Sequence, residues 1–292
     1  MTLRKHGRYD YSDITLRPDY AWPGGRRLAV YFGVNVEVFA FGEGLGAELA
    51  PGGPQPDILN YAWRDYGNRV GLPRLRAMFD RLGLACTVLA NSDTYAEAPG
   101  LIESFRARGD EIAGHGRTNA ERQGTLPEAE EAALIAEATR VLTQNEGRAP
   151  KGWLGPWISQ SDVTPDLLAE AGYAYLLDWC HDDQPVWMTT RHGQILSIPY
   201  PQELNDIPQI VGRKREGREF ADMVIDAFDT LLAESAERPL VMGIALHGYL
   251  MGQAHRAPHL ERAIRHMLDR GGDRVWMTTA GAICDHVTGL ET

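Results

Sequence analysis

Strands alternating with helix-period segments predict an α/β fold, a distorted (β/α) barrel of seven or eight units. Two observations carry that prediction. Apolar runs of strand length alternate with amphipathic stretches from residue 27 onward, and such alternation implies parallel pairing through crossover helices. Seven or eight such units within 292 residues suit a closed barrel better than an open sheet. No internal repeat or low-complexity tract interrupts the pattern. Residues 1–292 therefore read as a single domain, with residues 1–26 as an N-terminal extension.

The elements follow in order. Strands are expected at "RLAVYFGVNVEVF" (27–39), "ACTVLAN" (85–91), "EIAGHG" (111–116), "GWLGP" (152–156) and "YAYLLDW" (173–179). Three more follow at "ILSIPY" (195–200), "PLVMGIALHG" (239–248) and "VWMTT" (275–279). Between them, Leu72, Leu75, Phe79 and Leu82 recur at helical spacing, and "PEAEEAALIAEATRVLTQNEG" ends at Gly147, a natural helix stop. "FADMVIDAFDTLLAES" and "HLERAIRHMLDRGG" carry the same period. The one long irregular stretch, residues 41–67, is rich in Gly and Pro. Loops of that length are usually functional, so it is expected at the rim of the site or in an oligomer contact, through Phe41, Leu45, Leu59 and Trp63.

Composition narrows the partners. Acidic residues outnumber basic ones 40 to 29, a net charge of -11, which disfavours nucleic acid or an anionic membrane surface as partner. The charged N-terminus lacks an apolar signal segment, and no apolar run is long enough to span a bilayer. Cys86, Cys180 and Cys284 show neither disulfide nor zinc-ribbon spacing. The cytoplasm is the expected compartment.

Parallel barrels keep their chemistry at the carboxyl ends of the strands. The first strand ends in "NVE", which puts Asn35 and Glu37 on one face at period two. His115 ends the third strand, Asp178 the fifth and His247 the seventh. Any one of these has a bland explanation: a satisfied structural histidine, a rim carboxylate, a turn aspartate. Their coincidence at one mouth points to catalysis, because a Glu with two His residues can run acid–base hydrolysis with or without a metal. Trp157, Trp179 and Trp187 fall near the same mouth, where they line a pocket or pack its rim.

Several segments carry a family likeness: "YGNRVGLPRLRAMFDRLGLACTVLAN", "RGDEIAGHGRTNAERQG", "APKGWLGPW", "LLDWCHDDQPVW", "IPYPQELND" and "IALHGYLMGQAHR". Over about residues 8–290 the chain resembles the polysaccharide deacetylase (NodB-homology) superfamily. Within it, the chain is most similar to the branch of cofactor-independent allantoinases and cyclic imide hydrolases. The resemblance implies a distorted, usually seven-unit barrel. Deacetylases of the superfamily use one Asp as base, while a second Asp and a His-x-x-x-His pair hold a metal. The base position matches Asn35, the metal carboxylate Glu37, the first His His115, the second His Asn119, and the late His acid His247. Two of these five positions depart from the deacetylase pattern. Absence of a metal is therefore expected. Zinc or another divalent ion is the alternative; Glu37, His115 and Asn119 would hold it only weakly, since Asn119 offers only a neutral carbonyl oxygen.

The expected function is hydrolysis of a carbon–nitrogen bond in a small cyclic amide, with a cyclic imide or hydantoin-type ring ahead of allantoin. An N-deacetylase of acetylated amino sugars and a non-catalytic ligand-binding member are the other readings. In the expected mechanism Glu37 positions or deprotonates water and His247 protonates the leaving nitrogen. His115 and Asn119 orient water or the carbonyl. Asn35, Arg117, Trp157 and Asp178 are candidates for substrate contacts. A homo-oligomer, dimer or tetramer, is expected from the resemblance.

Overall fold

The computed structural model describes residues 3–42 and 46–290; Leu45 lies outside the described residues. Among these, one sheet contains β1 (Leu28–Val36), β2 (Thr87–Ala90), β3 (Glu111–Gly114), β4 (Gly152–Trp153), β5 (Tyr175–Leu176), β6 (Val186–Thr190), β7 (Gly193–Ser197), β8 (Leu240–His247) and β9 (Val275–Thr278). Their order is β6-β7-β5-β4-β3-β2-β1-β8, with β9 also paired to β1. Every expected strand is present. The addition is β6, which forms an antiparallel hairpin with β7 in a stretch expected to be loop. All other ladders are parallel.

The sheet curls into the distorted (β/α) barrel that the sequence predicts, but it does not close as a continuous ladder. Among the described residues, the gap between β7 and β8 is bridged by the isolated pair Asn205–Ala245 and by Ala245 N–H donating to the Leu204 carbonyl at 2.9 Å. The segment between these strands, residues 198–206, is thus the seam of the barrel.

Strand β1 is buried along its whole length, as a strand covered on both faces must be. Its alternation assigns the two faces. Leu28, Val30, Phe32, Val34 and Val36 join the core beneath the helices, whereas Ala29 and Tyr31 face the barrel interior with Leu89, Ala113, Leu154 and Tyr175. Asn35 and Glu37 continue the interior phase. Strand β8 repeats the pattern, with Val241 and Ala245 inside and His247 following in phase. Its register sets His247 opposite Asn35. At the other end of the barrel, Trp22 of the N-terminal extension is buried in the interior cluster and donates through Nε1 to the Leu240 carbonyl at 3.0 Å.

The periodic helices form as expected over Leu72–Leu82, Glu128–Glu146, Gly217–Glu234 and Ala257–Gly271. The second of them stops at Gly147, whose φ of 71° is left-handed. The stretch 41–67 is not wholly irregular, because Ile58–Tyr66 is a helix capped by Asp57. Phe41 and Leu59 are exposed. Trp63 is only partly exposed and packs edge-on against Tyr249, ring centres 5.1 Å apart, so it supports the site instead of advertising a contact surface.

Candidate active site

Glu37 leaves the end of β1 with its backbone held from two sides. Asn68 donates to the Glu37 carbonyl at 2.7 Å, and Val38 N–H donates to Asn91 Oδ1 at 2.9 Å. The carboxylate is buried and ringed by four groups. Asn119 Nδ2 donates to Oε1 at 2.5 Å, and the Tyr249 hydroxyl donates to Oε2 at 2.9 Å. His115 Nε2 and His247 Nε2 stand 3.4 Å and 3.5 Å from Oε1. Those two separations are near for charge and long for strong hydrogen bonds.

Each histidine is fixed through its other nitrogen. The Leu154 carbonyl lies 2.7 Å from His115 Nδ1, so that nitrogen carries a proton and Nε2 meets Glu37. Asp206 Oδ1 lies 2.6 Å from His247 Nδ1, and Asp206 Oδ2 accepts from the backbone N–H of His247 at 2.8 Å. Burial alone would raise the Glu37 carboxyl. The adjacent His247 and His115 overcome it and hold the group well below the ordinary carboxylate range. Burial alone would lower His247, but Asp206 and Glu37 push it up to about 10. At neutral pH the pair is a carboxylate facing an imidazolium.

The orientation of Asn119 follows from backbone partners. Asn91 Oδ1 takes the Val38 N–H, so Asn91 Nδ2 faces the other way, donating to the His115 carbonyl and, at 3.1 Å, to Asn119 Oδ1. Asn119 must then turn its own N–H toward Glu37. Its carbonyl oxygen is engaged and directed away from the carboxylate. The donor set thus does not fit the metal that the deacetylase pattern implies. Among the described residues no group of three His, Cys, Asp or Glu side chains is arranged to hold an ion.

These residues line a cavity of about 110 Å³ whose walls include Phe39, Ala47, Leu154, Trp157, Ile158, Ile207 and Pro208. Asn35, Tyr200 and Gln202 also face it. Asn35 Nδ2 donates to the Tyr200 hydroxyl at 3.0 Å and to the Leu246 carbonyl at 3.3 Å. Gln202 Nε2 is a buried donor with no hydrogen-bond partner among the described residues. Trp157 adopts a left-handed φ of 64° and anchors its indole to the Asn119 carbonyl at 2.9 Å.

The sequence-predicted residues Asn35, Glu37, His115, Asn119, Trp157 and His247 therefore converge. Two do not. Arg117 is paired with Glu121 and Glu137, because Gly116 at φ 65° turns the chain off the strand and ends the alternation. Asp178 is buried beside a neighbouring cleft with Gln160 and His181 and accepts from Gly155 N–H at 2.7 Å; burial pushes its carboxyl up to about 7. Trp179 and Trp187 also stand away from the cavity: Trp179 donates to Gln160 at 2.6 Å, and Trp187 lies on β6. Sequence reasoning missed Asp206, Tyr200, Gln202, Tyr249 and Asn91. Tyr200 and Asn91 end predicted strands, so the strand-end rule could have found them.

The fold and this centre define a protein of the NodB-type hydrolase class, a distorted barrel with a carboxylate–histidine cluster at the strand ends. The chain belongs to the polysaccharide deacetylase superfamily. A Pseudomonas aeruginosa PAO1 structure named as a probable polysaccharide deacetylase is 30% identical, superposes with a TM-score of 0.82, and is covered over 97% of its length by 94% of this chain. The crystal structure of PuuE allantoinase is 29% identical with a TM-score of 0.81, over 96% of this chain and 98% of that one. A Helicobacter pylori peptidoglycan deacetylase is 24% identical over 185 residues, 62% of this chain; the match spans 59% of that protein's length. No family model matches the chain.

Proposed function

We propose that the protein hydrolyses the carbon–nitrogen bond of a small cyclic amide, and that its substrate is a cyclic imide. The observation that carries this reading is the Glu37 carboxylate set against the His247 imidazolium, 3.5 Å away, inside a cavity of about 110 Å³. Pockets for drug-sized ligands run to roughly 300–1,000 Å³, so this one suits a single small ring better than a length of polysaccharide.

In the proposed reaction water adds to the ring carbonyl as Glu37 receives its proton. The C–N bond then breaks as His247 gives its proton to the nitrogen, because an amide nitrogen leaves poorly as an anion. The two transfers support one another. Glu37 is a weak base while its neighbour is charged, and it becomes a stronger one as the imidazolium charge is lost. Asp206 holds His247 in position to donate, and Asn119 and Tyr249 keep the carboxylate aimed. The reaction runs without a metal in this reading, which rests on the turned amide of Asn119.

The apolar walls favour a flat imide over allantoin, whose ureido tail wants several hydrogen bonds. Among the described residues, no Lys or Arg lines the cavity. An imide carries a second carbonyl, and Gln202 Nε2, without a partner among the described residues, is a donor suited to it. Allantoin is the second reading, favoured by the likeness to PuuE allantoinase. Purified protein is to be assayed on succinimide, phthalimide, hydantoin, dihydrouracil, allantoin and N-acetylglucosamine oligomers. Ring opening of the imides is expected. Turnover of allantoin with the imides untouched reverses the ranking, and activity on acetylated sugars alone rejects the cyclic-amide reading.

A further inference from the structure

Tyr200 closes the predicted strand "ILSIPY" and takes no part in the proton transfers above, yet its position is fixed by three independent contacts. The carbonyl of the preceding Pro199 accepts from the Tyr31 hydroxyl at 2.6 Å. The ring lies on the bare backbone of Gly33, where an added Cβ would stand 2.9 Å from Tyr200 Cε2. The hydroxyl oxygen accepts from Asn35 Nδ2 at 3.0 Å. Tyr200 is 1% exposed, and burial raises its phenol above the ordinary range, so it stays protonated at any working pH.

The direction of the Asn35 bond matters. Asn35 Nδ2 also donates to the Leu246 carbonyl, which only an N–H can satisfy, so the amide cannot be reversed. Tyr200 is therefore the acceptor of the pair, and its own proton has no protein acceptor among the described residues. Of the other donors at the cavity, the Asn119 amide and the Tyr249 hydroxyl point at Glu37, and Gln202 Nε2 is the donor assigned above to the second carbonyl. What remains is a rigid, neutral O–H facing the cavity, made a better donor by the amide that polarises its oxygen.

We infer that Tyr200 is a catalytic residue that donates a hydrogen bond to the substrate carbonyl oxygen as it becomes an oxyanion, and that Asn35 is the positioning residue behind it. The assignment rests on the ring-opening reading. Water oxygen bonds to the carbonyl carbon, the C=O π pair moves onto oxygen, and the Tyr200 proton holds that charge without being transferred. Collapse restores C=O and expels the nitrogen with the proton from His247. A donor that needs no reorganisation when the charge appears is the arrangement that gives oxyanion sites their effect.

The test is Tyr200→Phe, which keeps the ring seated on Gly33. Removal of one oxyanion donor costs about 10²–10³ in kcat, so that loss is expected on whichever substrate of the panel the wild type opens, with KM within about threefold and the melting temperature little changed. Sulfur accepts hydrogen bonds weakly, so on the corresponding thiocarbonyl ring the wild type and variant should differ far less, which a packing role would not produce. Asn35→Ala should lower kcat in the wild-type background and change nothing in the Tyr200→Phe background. If the wild type turns over and a folded Tyr200→Phe keeps more than a third of its kcat, the assignment is wrong and the ring-opening reading stands. A wild type inert on every substrate of the panel removes both.

Discussion

Replacing Asp206 with asparagine tests the acid in the proposed reaction. Asp206 Oδ2 accepts the backbone N–H of His247 at 2.8 Å, and Oδ1 faces His247 Nδ1 at 2.6 Å. In Asp206→Asn the carbonyl of the new amide must keep the backbone N–H, which swings its NH₂ onto Nδ1. Nδ1 then has to be an acceptor, and the imidazolium loses both its counter-charge and its hydrogen-bond partner. The same swap in the Ser–His–Asp triad costs about 10⁴ in kcat through the wrong tautomer. A loss of about 10³–10⁴, roughly 4–5 kcal/mol of barrier, is expected here. The pH profile gives a second reading. A histidine raised above its ordinary value keeps its charge until pH nears about 10, and the stability that goes with it is full below about pH 6.5 and lost as pH rises through about 10. The alkaline limb of wild-type kcat should therefore lie near 10. Loss of a counter-charge at contact distance moves such a group down by about 1–3 pH units, and the limb should move with it in Asp206→Asn. Spectrophotometric ring opening across the neutral and alkaline range, with a melting curve for each protein, measures both effects. A folded variant with kcat within about threefold of wild type and an unmoved limb would refute the acid role of His247.

The remaining expectations are smaller in scope. Glu37→Gln should lower kcat by about 10²–10⁴ with little change in KM; near-wild-type turnover would remove Glu37 from the chemistry. Purified wild type should carry no stoichiometric zinc and should keep its activity in chelator, while Asn119→His should raise the zinc content of the purified chain. Chelator-sensitive activity restored by zinc in the wild type would contradict the metal-free reading. Gly71→Ala drives a Cβ into the Gly248 carbonyl oxygen, beside the turn that carries Tyr249. Overpacking of that kind costs typically about 1–3 kcal/mol, to be read from urea unfolding, and an unchanged midpoint would show that the turn yields freely.

Most of the barrel was legible because its strands are short apolar runs punctuated by Gly and Pro, and its helices keep strict period. What escaped was phase and direction. In "YAYLLDW" every position but Asp178 is apolar, so nothing in the string tells which alternate residues face inward. The structure turns Tyr175 and Leu177 inside, and Asp178 falls in the opposite phase. Asn35 and Glu37 could be placed together because two polar residues at period two within an apolar strand mark their own face. Asp206 and Gln202 had no such mark, since Gln202 sits in irregular chain and Asp206 opens the short helical turn Ile207–Gly212, which carries too few residues to show a period. Strand β6 was missed although its string "VWMTT" at 186–190 is the same as the one read as a strand at 275–279; it pairs antiparallel with β7 as a hairpin, outside the alternation of strand and helix that guided the reading.

The seam between β7 and β8 has a further consequence. Tyr200, Gln202 and Asp206, proposed above to meet the two carbonyls and steady the acid, all lie on or at the end of this seam, tied across by the isolated bridge of Asn205 and Ala245. Glu37 and His247 lie on the β1–β8 side, which is continuously hydrogen-bonded. If the proposed reaction holds, substrate contacts sit on the seam, while the proton-handling pair sits at the end of two strands paired along their length. Under that proposal, editing the short run 198–206 should change which ring is opened before it changes the proton transfers themselves.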